Sequence, residues 1–180
     1  MYISMVAIDA TDSYEQHQAI WHLFPNAEER KRDHLFRVEG ERDGRQLILL
    51  QSSSEPISCE HATVLQSKPY VLNITNGESY KFKLVANPTR IISKTKKVIE
   101  IKDEGEQVAW LQRKLQGSNV VVTAIESKLV QSRKSHTARF VTFEGVLQVL
   151  DADSIYSVAI MGIGRKKHAG AGLLSLARAN

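Results

Sequence analysis

The same order of strand and helix patterns occurs in both halves of the chain, and this repeat constrains the fold more than any other feature. In the first half, branched and aromatic runs with turn and capping signals predict strands at 2–8, 34–40, 45–52 and 70–75, a helix at 13–24, and a weak helix after Pro56. Ser13 is the expected helix cap, and Asn76-Gly77 is a strong turn signal. The first half therefore predicts the order β-α-β-β-α-β.

The second half repeats this order after the turn. Its patterns predict a basic connector at 88–102, helices at 104–115 and 154–161, and strands at 80–86, 120–129, 137–149 and 173–177. Two successive units of this kind indicate an α+β protein with two tandem ferredoxin-like (RRM-like) domains. We expect an N-terminal domain at 1–77 and a C-terminal domain at 78–180.

Composition and charge narrow the class of protein. Hydrophobic residues make up 42% and charged residues 24%, which are globular values. The single cysteine, Cys59, excludes a disulfide framework, and we expect a cytoplasmic protein without a membrane segment. Residues 1–90 hold 10 Lys/Arg and 12 Asp/Glu, whereas residues 91–180 hold 14 and 8. This asymmetry favours a polyanionic partner such as nucleic acid, although a solvated basic surface explains it equally well.

The densest signal is the glycine-rich segment GIGRKKHAGAGLLSL at 162–176. Glycines allow close approach of backbone to a ligand, and adjacent cations attract a phosphate chain. The segment lacks the spacing of a Walker loop, and it follows a helix and enters a strand, which excludes a dinucleotide fingerprint. A mobile turn is the alternative. The glycines of this loop are Gly162, Gly164, Gly170 and Gly172. Lys167 lies among them, and the candidate nucleic-acid-binding residues of the loop are Arg165, Lys166 and His168.

Two other basic stretches lack acidic residues in the sequence, at 88–97 and at 127–143. The second reads as a long hairpin with Arg133 and Lys134 at its tip. Both stretches favour contact with a nucleic-acid backbone, with solvated loops as the alternative. Trp21 and Trp110 lie in predicted helices and indicate packing more than base stacking. The candidate RNA-binding residues of the two stretches are Arg90, Lys94, Lys96, Lys97, Lys128, Arg133, Lys134 and Arg139.

The first helix carries two histidines. His17 lies at the edge of the apolar stripe formed by Ala19, Ile20, Leu23 and Phe24, and His22 points towards the polar side. His17 suits either a structural role or acid–base chemistry near neutral pH. The two histidines are five positions apart, so they do not form the i, i+4 pair of a helical zinc site. Neither they nor the other histidines have ligand-like spacing, and we expect no metal.

Several stretches along the whole chain carry a resemblance to a known family. They are MYIS at the start, YEQHQAIWHLFP at 14–25, HLFRVE at 34–39, LLQSS at 49–53, LVANPTR at 84–90, EQVAWLQRKL at 106–115, FEGVL at 143–147 and GIG..K...GAGLLSL at 162–176. In these stretches the chain resembles the CasE family, the crRNA-processing endoribonucleases of type I-E CRISPR systems, within the RAMP superfamily. That family has two ferredoxin-like domains, in agreement with the fold predicted from element order.

The resemblance also assigns roles to particular residues. The family's catalytic histidine lies in a Tyr-x-x-His pattern on the first helix, which matches Tyr14 and His17. Lys167 matches the lysine of the glycine-rich loop, and we expect it to stabilise the charge of the reacting phosphate. His17 would act as general base, general acid or both, with Tyr14 orienting the phosphate or moving a proton.

The resemblance implies a metal-independent endoribonuclease without a cofactor. It would recognise the CRISPR repeat hairpin and cut pre-crRNA at the 3′ base of the stem by 2′-hydroxyl attack, leaving a 2′,3′-cyclic phosphate and a 5′-hydroxyl. It would stay bound to the mature crRNA beside other Cascade subunits. A non-catalytic RNA-binding RAMP subunit is one alternative, and His17 argues against it. A metabolite-binding ferredoxin-like regulatory module is another, and the basic glycine-rich loop argues against it.

Overall fold

The computed structural model describes residues 1–10, 12–24, 32–131 and 137–179. Residue contacts divide the chain into two compact units. The first unit contains Met1–Val71 and His168–Gly170, together with Gln131 and Thr137; the second contains Leu72–Val130, Ala138–Lys167 and the residues from Ala171 onward. Domains at 1–77 and 78–180 stay a prediction, because residue contacts do not show which segments fold independently.

The first unit is built on one antiparallel sheet with strand order β2-β3-β1-β4. Strand β1 therefore lies between β3 and β4, and the helix connects β1 to the edge strand β2 on the far side of β3. This is the strand order of a ferredoxin-like unit. Its elements are β1 (Tyr2–Ile8), α1 (Ser13–His22), β2 (His34–Arg42), β3 (Arg45–Ser52) and β4 (Ala62–Pro69).

The weak helix predicted after Pro56 is absent from the described part of the first unit. Other groups take up the backbone donors of this segment and of the start of β4. The Ile57 N–H donates to the Leu23 carbonyl at 2.7 Å, and the Ser58 hydroxyl accepts from the Val64 N–H at 2.9 Å. Ile57 and Ser58 are thus bonded to α1 and β4 and not within a helical turn of their own.

The predicted strand at 70–75 was wrong, because the fourth strand is β4 at Ala62–Pro69. Pro69 has no N–H to donate and ends the strand. The apolar residues that suggested a strand instead pack elsewhere: Leu72 and Ile74 lie against the core of the second unit. The Tyr80 hydroxyl fixes this connection, since it accepts from the Thr75 N–H at 3.2 Å and donates to the Asn73 carbonyl at 3.3 Å.

The second unit repeats the arrangement with the strand order β10-β5-β9-β8. A short hairpin, β6-β7, occupies part of the predicted basic connector. Helices α2 and α3 begin at aspartates, Asp103 and Asp151, whose side chains accept from backbone N–H groups of the first turn. The elements are β5 (Ser79–Ala86), β6 (Thr89–Ile91), β7 (Val98–Glu100), α2 (Glu104–Lys114), β8 (Ser118–Gln131), β9 (Thr137–Val149), α3 (Ala152–Met161), a 3₁₀ turn (Lys167–Ala169) and β10 (Leu174–Arg178).

Each unit has its own apolar core. Ile8, Ile20, Phe36 and Leu50 belong to the core of the first unit. Leu84, Leu111, Phe143 and Ile155 are fully buried in the core of the second. With the two strand orders, this confirms the predicted pair of tandem ferredoxin-like units. No helix among the described residues is long and apolar enough to cross a membrane.

Candidate active site

Helix α1 carries the Tyr14 and His17 pattern. Its N-cap is Asp12, whose Oδ1 accepts from the backbone N–H groups of Tyr14 at 2.8 Å and Glu15 at 2.9 Å. Ser13, the predicted cap, is instead the first helical residue and is buried. A carboxylate at this position also interacts favourably with the helix dipole. The buried face of α1 contains Ala19 and Ile20, which leaves His17 on the half-buried flank.

The side chain of His17 is held by an aromatic neighbour one turn later. Trp21 Nε1–H donates to His17 Nε2 at 3.1 Å, and the two rings meet edge to face with centroids 6.0 Å apart. His17 Nδ1 is buried and has no hydrogen-bond partner among the described residues. Because Nε2 accepts a hydrogen bond, His17 is the neutral tautomer with its proton on Nδ1 in this arrangement.

The surroundings of His17 favour that neutral form. Burial lowers the pKa of His17 below its ordinary value, and the nearby charges of His168 and Arg32 lower the pKa further. A cation in this position would lose hydration and face other cations. His17 is therefore available as a proton acceptor near neutral pH.

His168 reaches His17 from a distant part of the sequence. It lies in the 3₁₀ turn Lys167–Ala169 and is grouped with the first unit. Its ring meets that of His17 edge to face, with centroids 6.0 Å apart and an interplanar angle of 82°. The sequence predicted His168 as an RNA-binding residue but carried no sign that it lies beside His17.

A third histidine in this cluster was missed by sequence reasoning. His34 is buried at the start of β2, where it meets the Trp21 ring edge to face at 5.2 Å and stacks on Phe24 at 5.5 Å. Its Nδ1 lies 3.8 Å from Asp33 Oδ1, and the other Asp33 oxygen accepts from the Ser53 hydroxyl. We call His17, Trp21, His34 and His168 the histidine cluster. No local pattern in the sequence could have placed His34 here, because β2 and α1 meet only through packing.

The two remaining side chains of interest on α1 are more exposed. Tyr14, one turn before His17, is 39% exposed, and its hydroxyl oxygen accepts from Gln18 Nε2 at 3.0 Å. His22 is exposed, as its position on the polar side of the helix predicted. Tyr14 thus lies near His17 on the same helix, and its catalytic role stays a prediction.

The glycine-rich loop is shaped by close packing within the second unit. Gly162, Gly164 and Gly172 all have positive φ. A Cβ on Gly164 would lie 3.1 Å from the Trp110 ring, and a Cβ on Gly172 would lie 2.9 Å from the Ile163 carbonyl oxygen. These glycines are therefore required by backbone conformation and packing, whether or not a phosphate lies beside them.

The ammonium group of Lys167 forms a hydrogen bond with the C-terminal end of α3. Its Nζ donates to the carbonyl oxygen of Met161, the last residue of α3, at 2.8 Å. Lysine in this position satisfies a terminal carbonyl and interacts favourably with the helix dipole. An ammonium carries three N–H donors, so this hydrogen bond does not exclude a phosphate. The predicted role of Lys167 at the reacting phosphate stays a prediction.

Two of the predicted RNA-binding arginines have acidic neighbours that the sequence pattern concealed. Arg90 Nη1 lies 3.3 Å from Glu106, a residue of α2. The backbone N–H of Arg139 donates to Glu100 Oε1 at 2.8 Å, and the same oxygen accepts from Asn87 Nδ2 at 2.9 Å. Acidic side chains from other segments therefore lie beside these two basic stretches in the folded protein. Glu106 partly neutralises the charge of Arg90.

The other predicted cations are placed differently. Arg133 and Lys134 lie outside the described residues. Trp110 is a core residue of the second unit, as its helical position indicated. Arg90 is exposed but paired with Glu106. Six further predicted cations within the described residues are exposed, and we call them the exposed cations: Lys94, Lys96, Lys97, Lys128, Arg165 and Lys166.

The three histidines of the cluster are not arranged as a set of metal ligands among the described residues. In the part of the chain that the structure describes, no group of three or more His, Cys, Asp and Glu side chains could hold a metal ion. The three histidines of the cluster lie next to aromatic rings.

Comparison with known proteins places this arrangement in a family. A family model described as "CRISPR associated protein" matches residues 4–178. The CRISPR system Cascade subunit CasE of Escherichia coli K12 is 36% identical, with 98% of this chain and 99% of the relative aligned. The CRISPR-associated endoribonuclease Cse3 of Thermus thermophilus is 28% identical, with 94% and 92% aligned.

A solved structure supports the same assignment. Cse3 of Thermus thermophilus, bound to an RNA representing a pre-cleavage complex, gives a TM-score of 0.83 at 26% identity, covering 98% of this chain and 100% of that one. The resemblance seen in the sequence is thereby confirmed along nearly the whole chain. This chain belongs to the CasE family of CRISPR-associated proteins.

Proposed function

We propose that this protein is an endoribonuclease that binds the hairpin of CRISPR repeat RNA and cuts pre-crRNA at the 3′ base of the stem. The observation that carries the proposal is His17, a neutral histidine held by Trp21 on α1, at the family's catalytic position. The relatives are named as a Cascade subunit and as a CRISPR-associated endoribonuclease.

The reaction needs only side chains and the RNA itself. The 2′-hydroxyl loses its proton and attacks the adjacent phosphorus, and the bond from phosphorus to the 5′-oxygen breaks. The products are a 2′,3′-cyclic phosphate and a 5′-hydroxyl. His17 takes part in proton transfer, Tyr14 orients the phosphate, and Lys167 offsets negative charge as it develops.

Binding rests on the exposed cations, which offset the charge of the RNA backbone. A-form RNA is recognised mainly through its shape and backbone, and lysine and arginine suit such contacts. The protein then stays on the mature crRNA as a subunit of Cascade, in the cytoplasm. This extends to the present chain what the names of its relatives state for them.

A single modified substrate tests the chemistry. Repeat RNA with a 2′-deoxy sugar immediately before the cut should bind normally and remain whole, because the nucleophile is missing. The matched control carries the deoxy sugar one nucleotide further away and should be cut at the ordinary rate. Single-turnover cleavage in excess chelator should match the rate without it.

Two outcomes would contradict this function. Cutting of the first deoxy substrate would exclude 2′-hydroxyl attack. Tight binding of repeat RNA without cleavage of any substrate would instead indicate a non-catalytic RNA-binding subunit.

A further inference from the structure

The 3₁₀ turn Lys167–Ala169 brings a second histidine to the proposed reaction centre. We propose that His168 is a catalytic residue, the general acid that protonates the 5′-oxygen leaving group while His17 accepts the 2′-hydroxyl proton. The proposal rests on the proposed function. It assigns the second proton transfer, to the leaving group, to a residue otherwise expected only to contact RNA. It also assigns His17 as the base.

The separation of the two rings suits opposite roles on one phosphate. Their centroids are 6.0 Å apart and their planes are nearly perpendicular. Two groups that each hydrogen bond to a different oxygen of one phosphate, at about 3 Å each, lie on the order of 6–8 Å apart. A metal or a third residue is not needed to span this distance.

The two histidines differ in their surroundings in the direction that the roles require. His17 is partly buried, and burial together with His168 and Arg32 lowers its pKa, so it is the ring that gives up its charge. His168 is exposed to solvent, which hydrates a charged ring. Because two adjacent imidazolium ions repel, a pair of rings that carries one proton is favoured over a pair that carries two, and burial favours His17 as the neutral ring.

The hydrogen bond from Trp21 identifies His17 Nε2 as the nitrogen that serves as the base. The lone pair of His17 Nε2 already accepts a hydrogen bond from the Trp21 indole N–H, at 3.1 Å. A 2′-hydroxyl that replaces the indole donates to the same lone pair. His17 therefore needs no change of tautomer to begin the reaction.

The proton and electron balance closes with these two groups alone. His17 takes the 2′-hydroxyl proton as the bond from the 2′-oxygen to phosphorus forms. The bond from phosphorus to the 5′-oxygen breaks, its electron pair goes to that oxygen, and His168 supplies the proton. The reaction ends with His17 protonated and His168 neutral, and solvent restores both.

The backbone around His168 holds it beside His17. Gly170 has a φ of 90°, and a Cβ there would lie 3.0 Å from the ring of Phe36, a core residue of the first unit. Only glycine allows the turn to lie this close to Phe36. The imidazole of His168 is thus carried by a segment fixed against the same unit that holds His17.

A substrate with an activated leaving group tests the assignment. Repeat RNA in which sulfur replaces the bridging 5′-oxygen at the cut leaves as a thiolate and needs no general acid. With ordinary RNA, His168→Ala and His168→Gln should reduce the single-turnover rate by about 10²- to 10⁴-fold. With the sulfur substrate, both variants should cut nearly as fast as the unaltered protein, whereas His17→Ala should stay slow.

An exposed histidine outside the cluster supplies the matched control. His22→Ala removes an imidazole from the solvent-exposed side of α1, and its ratio of rates on the two substrates should equal that of the unaltered protein. If His168→Ala is slowed equally on both substrates, His168 is not the general acid. If the unaltered protein cuts neither substrate, the proposed function fails instead, so the two failures are distinguishable. Thermal unfolding of each variant shows that it is folded.

Discussion

The histidine cluster and the exposed cations have opposite physical characters. The cluster combines a buried His34, a half-buried His17 and an exposed His168, and it is held by edge-to-face contacts and one indole hydrogen bond. The exposed cations are solvated and lie on loops and an edge strand of the second unit. Chemistry at one phosphate requires a few groups with defined protonation states, whereas binding a polyanion requires many charges with little precision.

This contrast predicts that binding and cleavage respond to different substitutions. Changes in the cluster should lower the rate at saturating RNA and leave affinity nearly intact. Changes among the exposed cations should lower affinity and its salt dependence and leave the saturated rate nearly intact.

The largest expected effect is on the cleavage rate, and it should differ between His17 and His22, two histidines of α1. His17→Ala should reduce single-turnover cleavage by about 10²- to 10⁴-fold, because a general acid or base contributes that much. His22→Ala, the matched control on the exposed side of α1, should cut at the ordinary rate. Affinity for hairpin RNA should be unchanged in both. Full cleavage activity of a folded His17→Ala variant would show that His17 is not a catalytic residue.

A change among the exposed cations tests the other side of the comparison. Replacing Lys94, Lys96 and Lys97 with Gln should weaken hairpin binding and reduce the slope of log affinity against log salt by about 0.7–0.9 for each phosphate that is no longer neutralised. Arg90→Gln should have a smaller effect, because Glu106 already partly neutralises Arg90. Titrations at several salt concentrations measure both. An equal effect of Arg90→Gln and one of the lysine substitutions would show that this ion pair opens on RNA.

Two glycines with positive φ provide a test of the turn that holds His168. Gly77→Ala should cost about 1–2 kcal/mol of unfolding free energy, because its backbone conformation disfavours a side chain and space around it is open. Gly170→Ala should cost more, since its Cβ also meets Phe36, and it alone should slow cleavage by displacing His168. Denaturant unfolding and single-turnover rates compare the two. Equal costs would mean that the side chain of Phe36 relaxes freely.

The smallest expected effect concerns pH. Because the folded protein lowers the pKa of His17, its unfolded state binds more protons, and the stability contributed by neutral His17 is lost as pH falls below about 6.5. In a plot of cleavage rate against pH, the fall in rate on the acidic side should therefore lie below pH 6.5. Arg32→Gln removes one cause of the shift and should move the limb towards higher pH. NMR titration of the His17 ring checks the direction, and a downward move would show that Arg32 acts in another way.

The sequence predicted the sheets well because strand and turn signals are local. Arg45–Ser52 was predicted with the bounds it has, and α1 began at the predicted residue although Asp12 replaced Ser13 as its cap. The failure at 70–75 has a tertiary cause: Leu72 and Ile74 are apolar because they cover the second core, and a strand pattern cannot be distinguished from that by periodicity.

The candidate site was predictable only in part. His17 lies in a local pattern on one helix, so resemblance and helical periodicity could find it. The neighbouring rings of the cluster, His34 and His168, come from other segments and join it only through packing. Charge counting along the sequence failed for Arg90 for the same reason, since Glu106 is distant in sequence and close in space.

The membership of His168–Gly170 in the first unit has a consequence for how the protein is made. Chains leave the ribosome from the N-terminus, and early segments begin to fold while later ones are still being translated. His17 is therefore synthesised long before His168, and a polypeptide released early carries the helix without its partner ring. On the assignment of His168 as the general acid, prematurely terminated chains are catalytically silent, and RNA cutting begins only when translation has passed the final glycine-rich turn.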